Sequence, residues 1–264
     1  MGIVNVTPDS FSDGGRFFDP AAAIAHARRL IAEGADVLDI GGESTRPRAE
    51  PVSEADEVAR VAAVIAAIRA ESAIPISIDT MKPGVAAAAV AVGATMWNDV
   101  TALGFDPDSP QLAAELGCDV VLMHMRGEPR TMQAAPRYDE VVSEVADFLV
   151  ARAEAAMAAG VAREKIWLDP GIGFGKTAEH SLTLLRHLGR IVALGYPVLV
   201  GVSRKSSIAR IAGDRSTEDQ RLGGSIAAAL AAARAGAAMV RVHDVTETRQ
   251  ALAVAEAIGH SAVL

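Results

Sequence analysis

The sequence has 264 residues, a length that fits one large α/β barrel as readily as two ordinary domains. Half of the residues are hydrophobic and only 4% are aromatic, so the core must be built from Ala, Val, Ile and Leu. The net charge of −8 gives no general field that would attract nucleic acid or an anionic membrane, which argues against both as partners. An anionic ligand would need local Arg and Lys side chains.

The single cysteine, Cys118, excludes an internal disulfide and fits a reducing compartment. It precedes a predicted strand and is expected to be a small buried residue, not a catalytic thiol. The first residues show no basic region followed by an apolar run, so no signal peptide is predicted. The longest apolar stretch, 84–96, is too short to cross a bilayer. We therefore expect a cytoplasmic protein.

Eight short runs rich in branched residues alternate with stretches of helical periodicity. The predicted strands are 2–6, 36–40, 74–79, 95–98, 119–124, 165–169, 197–202 and 238–243. Eight such units in this length predict an α/β fold, a single (β/α)8 TIM barrel forming one domain over 1–264. An open doubly wound sheet is the structural alternative, and periodicity alone does not exclude it.

The helices are predicted from apolar residues at helical spacing. Ile24 and Ile31 lie on one face of the first helix, and Ser53 begins the second, with Asp56 as the partner in a weak capping box. A run from Val141 to Phe148 marks the longest helix. The glycines expected to end helices in the left-handed conformation are Gly34, Gly93, Gly117, Gly160, Gly195 and Gly236.

Polar residues end nearly every predicted strand, where the active sites of barrel enzymes form. They are Asn5, Asp79, Asn98, Asp99, His124, Asp169 and His243. Asp and Asn commonly cap helices or begin turns, but capping alone does not explain so regular a placement. The pattern indicates an enzyme that acts on a small molecule.

The segment 169–177, Asp-Pro-Gly-Ile-Gly-Phe-Gly-Lys-Thr, is similar to a nucleotide-binding loop but fails both common patterns. A P-loop needs glycine where Pro170 stands, and the dinucleotide pattern needs two residues between its last glycines. The alternative interpretation is a flexible turn without a binding role. We interpret the segment as backbone packed closely beneath a flat ligand, with Phe174 as an apolar wall and Asp169 reaching in from the strand end.

Arg241 and His243 alternate along a predicted strand and so point the same way, into the barrel mouth. A barrel core rarely accepts arginine without an anion, so the pair suggests phosphate capture; a satisfied core histidine is the alternative for His243 alone. Lys205 follows the seventh strand, near where barrels commonly bind phosphate. A Schiff-base lysine of an aldolase is the other interpretation of Lys205, but such lysines usually lie within a strand.

The histidines show no close metal-ligand spacing. Any metal is expected to be a hydrated Mg²⁺ held through substrate phosphates and one or two oxygen ligands.

Several segments resemble the motifs of the dihydropteroate synthase family, in the same order and nearly end to end. Residues 5–15, Asn-Val-Thr-Pro-Asp-Ser-Phe-Ser-Asp-Gly-Gly, resemble the first signature, and residues 41–47, Gly-Gly-Glu-Ser-Thr-Arg-Pro, the second. Further similar blocks are 77–80, 98–99, 169–171, 203–206 and 241–244. The sequence departs from the family at Arg48, where Gly is common, at Ile172, where Phe is common, and in starting at the first strand without a preceding hairpin.

The resemblance implies a transferase of folate and tetrahydrofolate biosynthesis, a homodimer and sulfonamide target that uses Mg²⁺. It would condense 6-hydroxymethyl-7,8-dihydropterin pyrophosphate with p-aminobenzoate, giving 7,8-dihydropteroate and pyrophosphate. The residues implied for the pterin pyrophosphate are Thr45, Asp79, Asn98, Asp169, Phe174, Lys205, Arg241 and His243. Those for p-aminobenzoate are Phe11, Thr45, Pro47 and Ser206. Catalytic roles fall to Asp13, Arg46 and Lys205, and Mg²⁺ binding falls to Asn5.

Two other functions are weighed against this one. A methyltetrahydrofolate-binding methyltransferase domain has a similar pterin pocket but needs no pyrophosphate site, so Arg241, His243 and the first loop argue against it. A catalytically inactive pterin-binding scaffold would not need every charged residue that the motifs contain. The Ala-rich helix predicted at 223–236 is a candidate dimer contact, or packs only against the barrel.

Overall fold

The computed structural model describes residues 1–6, 20–44, 50–128, 131–213 and 216–260. It contains all eight predicted strands, most of them shorter than predicted. The strands are β1 Gly2–Asn5, β2 Leu38–Gly41, β3 Ile76–Asp79, β4 Met96–Asp99, β5 Asp119–Met123, β6 Ile166–Asp169, β7 Leu199–Gly201 and β8 Met239–Arg241.

Helices follow the strands as the periodicity predicts. They are α1 Pro20–Ala32, α2 Glu54–Glu71, α3 Pro83–Ala91, α4 Ser109–Leu116, α5 Val141–Ala158, α6 Ala178–Arg186, α7 Leu188–Val192, α8 Ser206–Ala212, α9 Leu222–Arg234 and α10 Val245–His260. The Ser53 hydroxyl accepts from the Asp56 amide at 3.1 Å, which confirms the predicted cap of α2. Within the described ranges α5 has the greatest helix length, 18 residues, which it shares with α2. The six helix-ending glycines all have positive φ, as expected.

The strands close into a ring. β1 to β6 form one parallel sheet in chain order, and β7 pairs with β8. Single parallel bridges join Leu168 to Val198, at β6 and β7, and Gly2 to Val242, at β1 and the end of β8. The strand order therefore returns to its start, which confirms the predicted barrel and excludes the open sheet.

Side chains alternate between the two faces of each strand, and this sorts the barrel into an apolar floor and a polar mouth. Residues such as Val4 and Ile78 point outward and pack with the helices in the main core. The lower interior is a separate apolar cluster of Met1, Val37, Met96, Val121 and Leu199. Two residues further along the strands, the same alternation turns Asp39, Asn98 and Arg241 inward at the carboxyl ends.

Among the helices of the described ranges, none is long and apolar enough to cross a membrane.

Candidate active site

Arg241 lies at the centre of the barrel mouth, between two carboxylates from other strands. Its Nε donates to Asp39 Oδ2 at 2.5 Å, and its Nη2 donates to Asp79 Oδ2 at 2.7 Å. Burial by itself would lower the pKa of Arg241, but the two carboxylates raise it. Burial raises the pKa of Asp79 to about 7, against the opposing effect of the Arg241 charge. The anion expected beside Arg241 is thus supplied by the protein, and a phosphate would be an additional partner.

Asp39 is a site residue that the sequence analysis did not single out. It is fully buried in β2 and accepts a second hydrogen bond, at 3.2 Å, from Asn98 Nδ2. Its Oδ1 is buried and has no hydrogen-bond partner in the part of the chain that the structure describes. The available signal was a carboxylate between Leu38 and Ile40 in a buried strand, because such a charge requires a cation nearby.

Asp169 ends β6 and organises the glycine-rich turn that follows, 170–176. Its Oδ1 accepts from the Gly171 amide at 2.7 Å. Burial raises the pKa of Asp169 to about 6, although this hydrogen bond and the charge of Lys205 oppose the shift. Gly171 has a φ of +64°, and a Cβ at this position would lie 1.9 Å from the His124 carbonyl oxygen. The turn therefore lies directly against the end of β5. The predicted close packing of this backbone beneath a flat ligand stays a prediction.

Lys205 and Phe174 contact each other at the mouth. The Lys205 Nζ lies 4.1 Å from the centroid of the Phe174 ring, a cation–π contact. Burial lowers the pKa of Lys205 to about 8, and the Asp169 charge works against this shift. The structure thus brings together the predicted apolar wall, the predicted lysine and the carboxylate that ends β6.

Three more predicted residues lie around this group. His243 follows β8, and its Nδ1 is 3.0 Å from Ser203 Oγ, which also accepts from the His243 amide at 3.2 Å. Asn5 is half-buried at the end of β1. Ser206 is exposed and begins α8. Phe11, Asp13, Thr45, Arg46 and Pro47 lie outside the described residues, so their roles stay predictions.

Asp99 and His124 end strands without facing the mouth, contrary to the expectation for polar strand ends. Asp99 accepts from the amides of Thr101 at 2.7 Å and Leu103 at 2.8 Å, and thereby shapes the turn after β4. The His124 ring packs edge-on against Phe148, with centroids 4.8 Å apart. The expectation is wrong for these two because each is one residue out of phase with the inward-facing side chains of its strand.

A cavity of about 660 Å³ opens beside Asp79 at the same end of the barrel. Its walls include Thr80, Met81, Phe105 and Arg152. This volume is in the usual range for a small-molecule site, and its position agrees with the mouth as the functional face.

Comparison with known proteins gives consistent matches. The family model described as pterin binding enzyme matches residues 1–243. The dihydropteroate synthase of Neisseria meningitidis serogroup C is 50% identical over 262 residues, which are 98% of this chain and 92% of that protein. Xanthomonas albilineans dihydropteroate synthase with 4-aminobenzoic acid has a TM-score of 0.92 and 51% identity, covering 99% of this chain and 93% of that one.

A second Xanthomonas albilineans structure, in complex with 7,8-dihydropteroate, has a TM-score of 0.89 and 49% identity, with 99% of this chain and 93% of that chain covered. The sequence identity extends over almost the whole of both chains. The shared fold and the order of the motifs in the sequence agree with it. The chain therefore belongs to the dihydropteroate synthases, within the family of pterin-binding enzymes.

Proposed function

We propose that this chain, a transferase of folate biosynthesis by its family, joins 6-hydroxymethyl-7,8-dihydropterin pyrophosphate to p-aminobenzoate and releases pyrophosphate. The observation that carries the proposal is the cluster of inward-facing polar residues at the strand ends. Three carboxylates and an amide come from β2, β3, β4 and β6, and two cations come from the end of β8 and the loop after β7, namely Arg241 and Lys205. A pterin pyrophosphate has donors and acceptors at one end and anionic charge at the other.

The hydrogen bonds already made at the site indicate which atoms face a pterin. Asp169 uses Oδ1 for Gly171, which leaves Oδ2 as an acceptor for the amino and ring N–H donors of the pterin. Asn98 donates its Nδ2 to Asp39, so its Oδ1 is also presented as an acceptor. Lys205 would donate to pterin acceptors, with Phe174 beneath it as the apolar wall.

The pyrophosphate would lie beside Arg241 and His243. The two carboxylate contacts of Arg241 use Nε and Nη2, and Nη1 makes no hydrogen bond within the described ranges. One edge of the guanidinium is thus held by Asp39 and Asp79, and the remaining nitrogen can donate to a phosphate oxygen. By family resemblance Arg46 and Thr45 would complete this contact.

The oxygen ligands that the chain offers fit a Mg²⁺ that is held mainly by the phosphates of the substrate. The described residues contain no group of three His, Cys, Asp or Glu side chains that could hold a metal ion. Asn5 offers one neutral amide oxygen at the rim, which suits a hydrated Mg²⁺ shared with phosphate oxygens. When bound, Mg²⁺ neutralises charge on the leaving pyrophosphate.

In the reaction the amine nitrogen of p-aminobenzoate forms a bond to the pterin CH₂ carbon as the C–O bond to pyrophosphate breaks. The C–O electron pair leaves with the pyrophosphate, and the amine proton is then lost to solvent. Arg241 and His243 stabilise the departing charge, and by family resemblance Asp13 would stabilise positive charge on the pterin. An aromatic amine is already a nucleophile, so no strong general base is required.

The test is to measure pyrophosphate release and dihydropteroate formation with both substrates and with each alone. We expect the two products in equal amounts, and only when both substrates are present. Pyrophosphate release without dihydropteroate would indicate a hydrolase. Pterin binding without turnover would indicate a scaffold, and methyl transfer from methyltetrahydrofolate would indicate the methyltransferase alternative.

We further propose a homodimer formed through the groove between α9 and α10. The groove is lined by Ile226, Leu230, Arg234, Glu247, Gln250, Ala251, Val254, Ala255 and Ile258. Val254 and Ile258 are 54% and 67% exposed, which is unusual for large apolar side chains so close together. A second copy related by a two-fold axis would bury the same face on both chains.

We also propose that the enzyme works in the cytoplasm. Cys118 is a free, buried thiol, which suits a reducing compartment.

A further inference from the structure

Lys176, the last residue of the 170–176 turn, has a buried side chain that takes no part in the chemistry proposed above. Lys176 is 2% exposed, and the nearby His124 is 3% exposed. The Lys176 Nζ is 2.8 Å from His124 Nδ1, 3.0 Å from the Phe174 carbonyl oxygen and 3.2 Å from the His124 carbonyl oxygen. Lys176 makes no ion pair with a carboxylate anywhere in the described part of the chain. A buried amine with that set of partners needs an explanation other than charge pairing.

The three partners match the three N–H groups of an ammonium. Each partner is an acceptor if the His124 ring is neutral with its proton on Nε2. Burial, reinforced by the Lys176 charge, lowers the pKa of His124 to about 3, so the ring is neutral at ordinary pH. Burial also lowers the pKa of Lys176 to about 7. Three acceptors need three N–H groups, so the full set of hydrogen bonds belongs to the protonated lysine.

These hydrogen bonds connect two strands to the pterin site. His124 follows β5, and Phe174 lies in the turn after β6, so one ammonium fixes the turn to the neighbouring strand. Gly175 fits this contact, because a Cβ at that position would lie 2.2 Å from the Arg126 carbonyl oxygen. The Phe174 ring in turn supports the Lys205 ammonium at 4.1 Å. The hydrogen bonds of Lys176 therefore help to fix the position of Phe174, and through it that of Lys205, at the mouth.

We propose that Lys176 is a positioning residue for the pterin site, holding the 170–176 turn on the end of β5 and through it placing Phe174 and Lys205. The proposal rests on the function proposed above. Lys176 touches no substrate in this scheme. Its loss would change the binding of the pterin more than that of p-aminobenzoate, because three of the four residues that the family implies for p-aminobenzoate belong to the first two signature segments and only Ser206 adjoins Lys205.

The first experiment replaces Lys176 by Met, which keeps the length of the side chain and removes its three donors. Calorimetry with a pterin that lacks phosphates should show affinity weakened about tenfold or more, while KM for p-aminobenzoate changes by less than about twofold. Lys165→Met is the matched control, because Lys165 lies at the opposite end of β6, half-exposed near Asp119. It should leave both constants unchanged.

A second pair of variants guards against a Lys176→Met chain that does not fold. Asn places its side-chain oxygen close to where His has Nδ1, so His124→Asn should retain pterin affinity within about threefold. His124→Leu removes the acceptor and should weaken pterin binding about tenfold. Nitrogen NMR of the histidine rings should also show His124 in the Nε2–H form and neutral at about pH 5, above its pKa of about 3.

The outcomes separate the two levels of the proposal. A wild-type chain that binds no pterin would refute the proposed function itself. A wild-type chain that binds pterin, with Lys176→Met and His124→Leu binding equally well, would refute only the role of Lys176. Equal losses for pterin and p-aminobenzoate would show a general structural role and would also overturn the positioning role.

Discussion

At the scale of single residues, the ion contacts of the mouth join charges that are remote in sequence. Arg241 and Asp39 are separated by 202 positions, yet their contact fixes the centre of the site. A buried carboxylate that loses its cation is left uncompensated, whereas loss of both partners leaves no unpaired charge. This difference separates the structural role of Arg241 from its proposed role in binding pyrophosphate.

Arg241→Met should lower the free energy of unfolding by ~3–5 kcal/mol, because Asp39 would remain buried without its cation. Urea denaturation measures the change. Adding Asp39→Asn to the same chain should restore part of that stability but none of the affinity for pyrophosphate, which calorimetry measures. If the double variant were no more stable than Arg241→Met, the contact with Asp39 would not be the source of the loss.

Asp169→Asn should weaken pterin binding by ~1–3 kcal/mol, because one acceptor oxygen becomes a donor that faces the pterin donors. The amide oxygen can still accept from Gly171, so the turn itself should survive. Calorimetry with a pterin analogue checks the loss, and circular dichroism checks the fold. Unchanged affinity would remove Asp169 from the pterin site.

The raised pKa of Asp169 predicts opposite effects of pH on binding and on stability. Burial raises this pKa from 3.8 to about 6, so the carboxylate that a pterin needs is lost as pH falls through about 6. Pterin affinity should then fall about tenfold per pH unit. Without ligand, the folded chain must bury the Asp169 charge once this group ionises. The contribution of Asp169 to the free energy of unfolding therefore declines as pH rises from 3.8 to about 6. Asp169→Asn should abolish both effects, and a persisting acid loss of affinity would assign it to another group.

At the scale of elements, the turn after β6 depends on glycine for space as well as for conformation. Gly171 and Gly117 have nearly the same φ, +64° and +60°, but a Cβ meets the His124 carbonyl at Gly171 and nothing within 4 Å at Gly117. Ala at either position should cost about 1–2 kcal/mol of backbone strain. Only Gly171→Ala should also move the turn and weaken pterin binding. Denaturation and calorimetry on the two variants test this, and equal pterin affinity would contradict it.

Some features of the fold and of the site could be predicted from the sequence and others could not, for physical reasons. The strands and the helix-ending glycines follow from local patterns, because a buried parallel strand and a left-handed helix end each leave a signature within a few residues. Strand phase was harder, because Asn98 and Asp99 are adjacent: the family resemblance implied Asn98, and the structure shows that Asn98 faces the mouth and Asp99 does not. Asp39 and Lys176 were missed because their partners, Arg241 and His124, lie far away in sequence.

At the scale of the whole molecule, the α9–α10 groove predicts how the chains associate. Ile258→Glu should shift the proposed dimer to monomer, because a charge would be buried at the centre of an apolar contact. Ile211→Glu is the control, since Ile211 is 52% exposed but lies outside the groove. Sedimentation equilibrium measures the state of each. A monomeric wild-type chain at micromolar concentration would contradict the interface.

The two single bridges that complete the barrel also divide it into unequal parts. Asp39, Asp79 and Asp169 belong to the six-stranded sheet, whereas Lys205 and Arg241 belong to the segment of β7 and β8. The ion contacts of Arg241 with Asp39 and Asp79 therefore run across the joint between β8 and β1 and hold the two pieces together. In the free enzyme the joint amides of Leu168 and Val242 should exchange their hydrogens sooner than that of Ile78 inside the larger sheet. A pterin pyrophosphate that contacts both pieces would hold them together. Its binding should therefore slow hydrogen exchange of the amides at both joints, including the joint that lies further from the ligand.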